Sequence, residues 1–253
     1  MQKLRYMVRN VECKMQMKVN HYKFYIIHFT LPRGGIVMGF LSSVLDILFP
    51  PKCVFCRRVL NKGEQGLCTS CSDDLPFTDD FGKQRGDAYG FCIAPLYYSG
   101  FVRKSILRYK FSGASAYAET YGRLLAQCIR ECPDAKYDII TWVPLSTSRE
   151  RSRGYDQAML LALATALELD DVAVETLNKH RDVRAQSELS GKDERSANIS
   201  GAYEVTDAEL IIGKTVLLID DVVTTGSTLN ECATVLRSAG ASNIICAALA
   251  RGE

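Results

Sequence analysis

Two adjacent carboxylates, Asp220 and Asp221, stand between an apolar run and a loop rich in hydroxyl groups. The apolar run, residues 216–219, is typical of a buried strand in a parallel sheet. Ligands of open α/β sheets bind at the carboxyl ends of such strands. Because an uncompensated charge at a partly buried strand end is costly, the two carboxylates need a partner. Ribose hydroxyls or a hydrated Mg²⁺ ion would serve.

The loop that follows the two acids has the composition of a phosphate-binding cradle. Its residues are Thr224, Thr225, Gly226, Ser227 and Thr228. The loop opens into a predicted helix, and backbone N–H groups at a helix N-terminus, together with the hydroxyls, suit a phosphate dianion. Glycine lets the backbone approach a ligand closely. Alternatively, the polar residues only cap the helix, but capping explains neither the paired acids nor the number of hydroxyls.

A second polar cluster follows a short β-branched run, residues 139–143. Pro144 and Leu145 come first, and a basic turn with Arg149 and Arg153 follows. Guanidinium groups bind pyrophosphate oxygens in bidentate pairs. The cluster is therefore a candidate pyrophosphate site, and a solvated basic loop is the alternative.

Four cysteines form two Cys-x-x-Cys pairs with eleven residues between them: Cys53, Cys56, Cys68 and Cys71. This spacing is typical of a closed tetrahedral zinc site, so the predicted role of the metal is structural. Redox-active pairs or disulfides are the alternatives. Disulfides are disfavoured because no secretory signal accompanies the ten cysteines, which predicts a reducing, cytoplasmic compartment. The apolar stretch 24–29 is too short for a membrane span.

The elements that must position these groups alternate between strands and helices. Strands are predicted over residues 91–98, 139–143, 172–177, 216–219 and 244–249, and helices over residues 38–48, 102–109, 115–132, 157–167 and 228–239. This β-α-β alternation predicts an α/β domain with a parallel sheet and helices on both faces. Residues 179–200 are polar and charged, and a loop of that length is usually a functional lid or disordered.

Composition divides the 253-residue chain into three parts. Residues 1–37 carry seven basic residues and one acid, and we predict that they are disordered or stem from an upstream start codon. A basic arm for nucleic acid or lipid is the alternative. Residues 38–87 hold a helix, the cysteine pairs and a linker that begins at residue 72. Residues 88–253 form the main domain. Beyond residue 37 the net charge is −4, so overall charge does not favour nucleic-acid binding there.

The segment 216–228 resembles the signature by which type I phosphoribosyltransferases bind phosphoribosyl pyrophosphate (PRPP). Four apolar, two acidic and two apolar residues precede Thr-Thr-Gly-Ser-Thr. The resemblance implies that the acids hold the ribose diol and that the loop holds the 5′-phosphate. In hypoxanthine-guanine salvage enzymes, the position of Thr224 is typically an Asp that interacts with the base. Because this sequence has Thr224 in place of that Asp, it argues against the hypoxanthine-guanine subclass.

A wider resemblance, from about residue 49 to residue 251, is to the ComF/GntX family. The motifs that carry it include Arg-Gly-Tyr-Asp-Gln at residues 153–157, close to the family's Arg-Gly-Phe-Asn-Gln, and Leu107-x-x-Lys110-Phe111. The family joins a zinc ribbon to a type I phosphoribosyltransferase-like domain and includes competence proteins needed for DNA uptake. The PRPP-binding residues that this implies are Pro144, Leu145, Arg149, Arg153, Asp220, Asp221, Thr224, Thr225, Gly226, Ser227 and Thr228. Magnesium would accompany PRPP, and zinc would be structural.

The resemblance leaves the function open between two classes. In one, the protein binds PRPP and handles single-stranded DNA or competence proteins, and a basic helix contacts DNA. The candidate contacts on this helix are Arg103, Lys104, Arg108, Lys110 and the stacking rings of Tyr109 and Phe111; a solvated face is the alternative. In the other, the protein is an active phosphoribosyltransferase on an unidentified base or amine, with residues 186–198 as a lid. A transcription-linked regulator is a third possibility.

Overall fold

The computed structural model describes residues 7–8, 11–12, 50–179 and 201–252. The predicted helix over residues 38–48, the lid over 186–198 and most of the segment 1–37 lie outside these ranges. Within that segment, β1 (Met7–Val8) pairs with β2 (Val11–Glu12) in antiparallel fashion.

The remaining elements follow each other in the predicted alternation. The strands are β3 (Phe91–Ile93), β4 (Leu96–Tyr97), β5 (Ile139–Trp142), β6 (Leu177–Lys179), β7 (Tyr203–Val205), β8 (Thr215–Val223) and β9 (Asn243–Arg251). The helices are α1 (Thr69–Asp73), α2 (Gly100–Phe111), α3 (Tyr117–Glu131), α4 (Thr147–Arg153), α5 (Gln157–Glu168) and α6 (Ser227–Ser238), with 3₁₀ turns at Asp79–Gly82 and Ala208–Leu210. Among the described residues, every helix is too short or too polar to cross a membrane.

A parallel sheet forms the centre of the main domain, as predicted. Its order is β3-β9-β8-β5, and β4 also pairs with β9. Because successive side chains of a strand point to opposite faces, β8 serves two cores. Leu217 and Ile219 belong to the core that contains residues of α2, α3 and α5, whereas Leu218 packs with residues of α6. The sheet is therefore covered by helices on both faces.

One boundary difference concerns β8. The sequence predicts a strand that ends before Asp220, but β8 continues to Val223, because its parallel pairing with β9 extends to the pair Val223 and Arg251. The predicted strand over 91–98 is divided into β3 and β4. Of the strand predicted over 172–177, Ala173 forms a single parallel bridge with Ile140, and Leu177 is the first residue of β6.

The segment predicted as a linker from residue 72, together with the residues that lead into β3, lies against the sheet and adds two side chains to the core. Leu75 and Tyr89 are buried. Gln84 exchanges two backbone hydrogen bonds with Cys92 on β3, at 3.0 and 2.8 Å, and the N–H of Gly90 donates to the carbonyl of Ile244 at 2.9 Å. The segment thus borders the sheet beside β3, where an exposed edge would otherwise remain.

Candidate functional site

Parallel pairing brings the two predicted polar clusters to one edge of the sheet. Trp142 on β5 pairs with Ile219 on β8, and the N–H of Val143 donates to the carbonyl of Ile219 at 2.9 Å. The next residues along the chain are Pro144, which follows Val143, and Asp220, which follows Ile219. Consequently, the turn after β5 begins beside the acidic pair, at the carboxyl edge where open sheets bind ligands.

The two acids have different environments, because neighbouring side chains of a strand point to opposite faces. Asp221 is buried, and its Oδ1 accepts from Nζ of Lys110 at 2.7 Å. Burial disfavours the charge on Lys110, but the Asp221 carboxylate outweighs it, so the pKa of Lys110 lies above its ordinary value. Asp220 Oδ1 accepts from the N–H of Asp221 at 2.7 Å. Burial and the neighbouring Asp221 charge raise the pKa of Asp220.

The loop after β8 presents its hydroxyls to solvent at the N-terminus of α6. The side chains of Thr224, Thr225, Ser227 and Thr228 are exposed. Thr225 Oγ1 donates to Ser227 Oγ at 3.1 Å. Gly226 precedes the helix with a φ of 73°, a left-handed conformation that favours glycine. The loop predicted as a phosphate cradle thus leads directly into α6, which starts at Ser227 instead of Thr228.

Tyr89 lies against this loop, although sequence reasoning did not single it out. A Cβ atom added at Gly226 would come within 2.6 Å of the Tyr89 hydroxyl oxygen. Nearby, Asn230 of α6 accepts a hydrogen bond from the N–H of Ala88 at 3.0 Å. In the sequence, Tyr89 is a single tyrosine in a segment without periodicity, which does not indicate a role. The fold shows that it lies against the loop.

Gly226→Ala should therefore lower the free energy of unfolding by about 2 kcal/mol, through backbone strain and the clash with Tyr89. Adding Tyr89→Phe removes the clashing hydroxyl and should recover part of that loss. Gly213→Ala is the matched control, because Gly213 has a φ of 71° but has no atom within 4 Å of the added Cβ. Chemical denaturation measures all three; equal losses at Gly226 and Gly213, with no recovery by Tyr89→Phe, would contradict the contact.

The basic turn after β5 is held by Asp156. The Asp156 carboxylate accepts from the N–H of Leu145 at 2.6 Å and from the N–H of Met159 at 3.0 Å. It thus caps α5 and fixes the turn at the same time. Burial raises the pKa of Asp156 to about 6, against these two hydrogen bonds. The Leu145 N–H therefore already has a hydrogen-bond acceptor within the protein.

Arg149 and Arg153 lie one turn apart on α4, where residues four apart are neighbours. Both are partly exposed. Arg153 Nη1 donates to Gln157 Oε1 at 2.7 Å, and its guanidinium lies 4.7 Å from the centroid of the exposed Phe111 ring. These contacts orient one arginine of the predicted pyrophosphate site.

The four predicted metal ligands converge. The sulfur atoms of Cys53, Cys56, Cys68 and Cys71 all lie within 4.8 Å of one another. Cys56 Sγ and Cys68 Sγ are 3.7 Å apart, close to the ~3.8 Å edge of a tetrahedron with Zn–S bonds of ~2.3 Å. A disulfide needs a S–S distance of ~2.05 Å. The donor set therefore fits zinc in a closed, structural site.

Glu64 braces the zinc ribbon from outside the ligand set. Its carboxylate accepts from the N–H groups of Asn61 and Thr69, at 2.6 and 2.9 Å, and from Arg58 Nη2 at 2.7 Å. The hydrogen bonds from the backbone of Thr69 and Asn61 lower the pKa of Glu64 to about 2. One side chain thus joins the two cysteine pairs.

Three of the six residues of α2 that were predicted to contact DNA are used inside the protein. Arg108 donates to two carbonyls of the ribbon, and Lys110 pairs with Asp221. Tyr109 is 0% exposed, so the prediction that its ring stacks on bases was wrong. Arg103, Lys104 and Phe111 remain exposed.

Comparison with family models agrees with this two-part architecture. Residues 156–253 match the phosphoribosyl transferase domain, and residues 44–89 match the double zinc ribbon domain. The main domain therefore has a phosphoribosyltransferase-like fold that is preceded by a zinc ribbon.

Several curated proteins are similar to most of the chain. Competence protein F of Haemophilus influenzae is 29% identical over 222 residues, which cover 79% of this chain and 96% of that protein. DNA utilization protein YhgH of Escherichia coli O6:H1 is 30% identical over 224 residues, covering 77% and 94%. Among solved structures, the Bacillus subtilis glutamine PRPP amidotransferase complexed with ADP and GMP is 20% identical, with a TM-score of 0.39; the match covers 55% of this chain and 30% of that chain.

Proposed function

The chain belongs to the ComF family, and from this premise we propose that it binds PRPP with Mg²⁺ at the carboxyl edge of its sheet and acts in DNA uptake. The observation that carries the proposal is the position of the acidic pair between a hydroxyl-lined helix N-terminus and the turn after β5. These three features match the ribose, the 5′-phosphate and the pyrophosphate of PRPP in number and in chemistry.

Each part of the ligand has a residue set suited to it. The N–H groups at the start of α6 and the exposed hydroxyls of the loop bind the 5′-phosphate. The Asp220 carboxylate accepts hydrogen bonds from ribose hydroxyls. Arg149 and Arg153 extend from α4 to the pyrophosphate. Pro144 and Leu145 shape the turn between these positions.

The carboxylates leave few oxygen atoms for a metal ion. Asp221 is paired with Lys110, and one oxygen of Asp220 accepts from a backbone N–H. We therefore propose that the Mg²⁺ ion binds mainly to PRPP and that Asp220 is the protein residue that would hold it. Mg²⁺ is usually bound by substrate phosphates together with one or two carboxylates. When bound, the ion neutralises charge on the pyrophosphate.

The role in DNA uptake derives from the names of the similar proteins, and single-stranded DNA or other competence proteins are the proposed partners. A complementation experiment tests whether the PRPP site serves this role. The gene is deleted in its host and replaced by the wild-type sequence or by Asp220→Asn/Asp221→Asn. We expect the wild type to restore transformation by added DNA and the variant not to do so. Equal restoration by both would separate DNA uptake from the PRPP site.

The arginine pair on α4 favours a second candidate, an active phosphoribosyltransferase. Guanidinium groups that hold the leaving pyrophosphate would stabilise the charge that develops there. A pyrophosphate-release assay with PRPP and a panel of bases and amines distinguishes the candidates. Release that depends on one acceptor identifies a transferase, and PRPP binding without release identifies a binding protein.

A further inference from the structure

Helix α2 donates hydrogen bonds to the turn between the first two cysteines of the zinc ribbon. Ser105 Oγ donates to the carbonyl of Val54 at 2.5 Å. Arg108 Nη2 donates to the carbonyls of Val54 and Phe55, at 3.0 and 2.5 Å. Both carbonyls lie between the ligands Cys53 and Cys56. They are in place only while the turn between these ligands is folded.

The last turn of the same helix reaches the candidate PRPP site. Lys110 Nζ lies 2.7 Å from Asp221 Oδ1. Between the two contacts, Tyr109 is fully buried, and its hydroxyl donates to the carbonyl of Gln157 at 2.8 Å. Tyr155 in turn donates to the carbonyl of Tyr109. Three consecutive residues of α2 thus touch the ribbon, the start of α5 and the acidic pair.

We propose that Lys110 is a positioning residue for PRPP and that the zinc ribbon sets its position through Arg108, so that zinc and PRPP bind with positive coupling. The inference rests on the proposed PRPP site. Lys110 and Asp221 hold each other in place beside the proposed ligand position. Without Lys110, a buried carboxylate would be left uncompensated beside the ligand.

The coupling has a physical origin in the metal dependence of ribbons. In such modules the free energy of metal binding also supplies the free energy of folding. Loss of zinc therefore unfolds the turn that carries the two carbonyls. Among the described residues, Arg108 Nε is already buried without a hydrogen-bond partner. Losing the acceptors of Nη2 as well would leave more of the guanidinium unsatisfied. The last turn of α2 would then rearrange and withdraw Lys110 from Asp221.

Reciprocity allows a test on the intact wild-type protein, because PRPP must tighten zinc binding by the factor by which zinc tightens PRPP binding. Zinc-loaded protein is titrated with a chromogenic chelator, with and without PRPP and Mg²⁺. We expect PRPP to raise the apparent zinc affinity about tenfold, within the usual range of coupling. The Asp220→Asn/Asp221→Asn variant controls for zinc bound directly by PRPP, and there PRPP should have no effect.

A pair of variants at residue 110 separates positioning from general stability. Lys110→Met should weaken PRPP binding about tenfold and remove the effect of PRPP on zinc affinity, whereas Lys110→Arg keeps a cation and should restore most of both. Zinc affinity without PRPP should stay the same in both variants. Lys110→Met that binds PRPP like the wild type would overturn the assignment of Lys110.

The wild-type titration remains decisive if Lys110→Met does not fold. Tighter zinc binding with PRPP supports the coupling. If calorimetry shows that wild-type protein binds PRPP while zinc affinity is unchanged, the coupling is wrong and the proposed function stands. If calorimetry shows no PRPP binding, both are wrong.

Discussion

Replacing Asp220 and Asp221 together by Asn should weaken PRPP binding about 100-fold. Asp220→Asn replaces a charged acceptor for the ribose hydroxyls by a neutral one, and hydrogen bonds to charged groups contribute ~1.5–3 kcal/mol. Asp221→Asn removes the partner that holds Lys110. Since ~1.4 kcal/mol is a factor of ten in affinity, a loss of about tenfold at each residue gives the expected total. Calorimetric titration with PRPP and Mg²⁺ measures it.

The matched control is Asp73→Asn/Asp74→Asn, which removes two adjacent negative charges from an exposed position at the end of α1. This control should leave PRPP affinity unchanged. Both double variants should still bind one zinc ion per chain, because neither changes a cysteine ligand. Unchanged PRPP affinity in the Asp220→Asn/Asp221→Asn variant would contradict the assignment of the site.

Cys68→Ser should abolish zinc binding and unfold the ribbon. The binding energy of structural zinc in small modules is about 10–16 kcal/mol, which is comparable to the whole stability of a domain at about 5–15 kcal/mol. The ribbon cannot keep its fold without it. Phe55, which packs against Phe101 and Tyr121 at centroid distances of 5.7 and 5.9 Å, would lose its place in the core. Metal analysis and limited proteolysis report the two effects.

The control for the number of thiols is Cys132→Ser, at the end of α3 and outside the zinc site. It should retain one zinc ion per folded chain and resist cleavage between residues 50 and 90. Cys68→Ser should lose the metal and be cut in that segment. A Cys68→Ser protein with one zinc ion per chain and wild-type resistance would show that the four sulfurs are not the ligand set.

The parts that the sequence predicted well depend on short-range patterns. The two cysteine pairs carry their own spacing, and the run of apolar residues, acids and hydroxyls around Asp220 lies within thirteen residues. Such patterns report local structure because the period of a strand or the start of a helix is set by neighbours. The parallel α/β fold follows from the alternation of these elements.

The contacts that complete the site depend on long-range packing. Lys110 and Asp221 are 111 residues apart in sequence, and the charge pattern of α2 is equally typical of a solvated or DNA-binding face. Tyr89 belongs to a segment without periodicity, yet the fold places it against Gly226. The helical spacing of Tyr109 with Val102 and Ile106 indicates that its side chain is buried, but it does not reveal Tyr155 and Gln157 as its partners. Side-chain direction relative to distant elements is the missing information.

The central claim is that the acidic pair, the hydroxyl loop and the turn after β5 form one PRPP pocket. Isothermal titration calorimetry of the zinc-loaded wild-type protein with PRPP and Mg²⁺ tests it most directly, with ribose 5-phosphate and inorganic pyrophosphate titrated separately. We predict saturable binding of one PRPP per chain, and weaker binding of each fragment. Absence of PRPP binding to folded, zinc-loaded protein would contradict the claim.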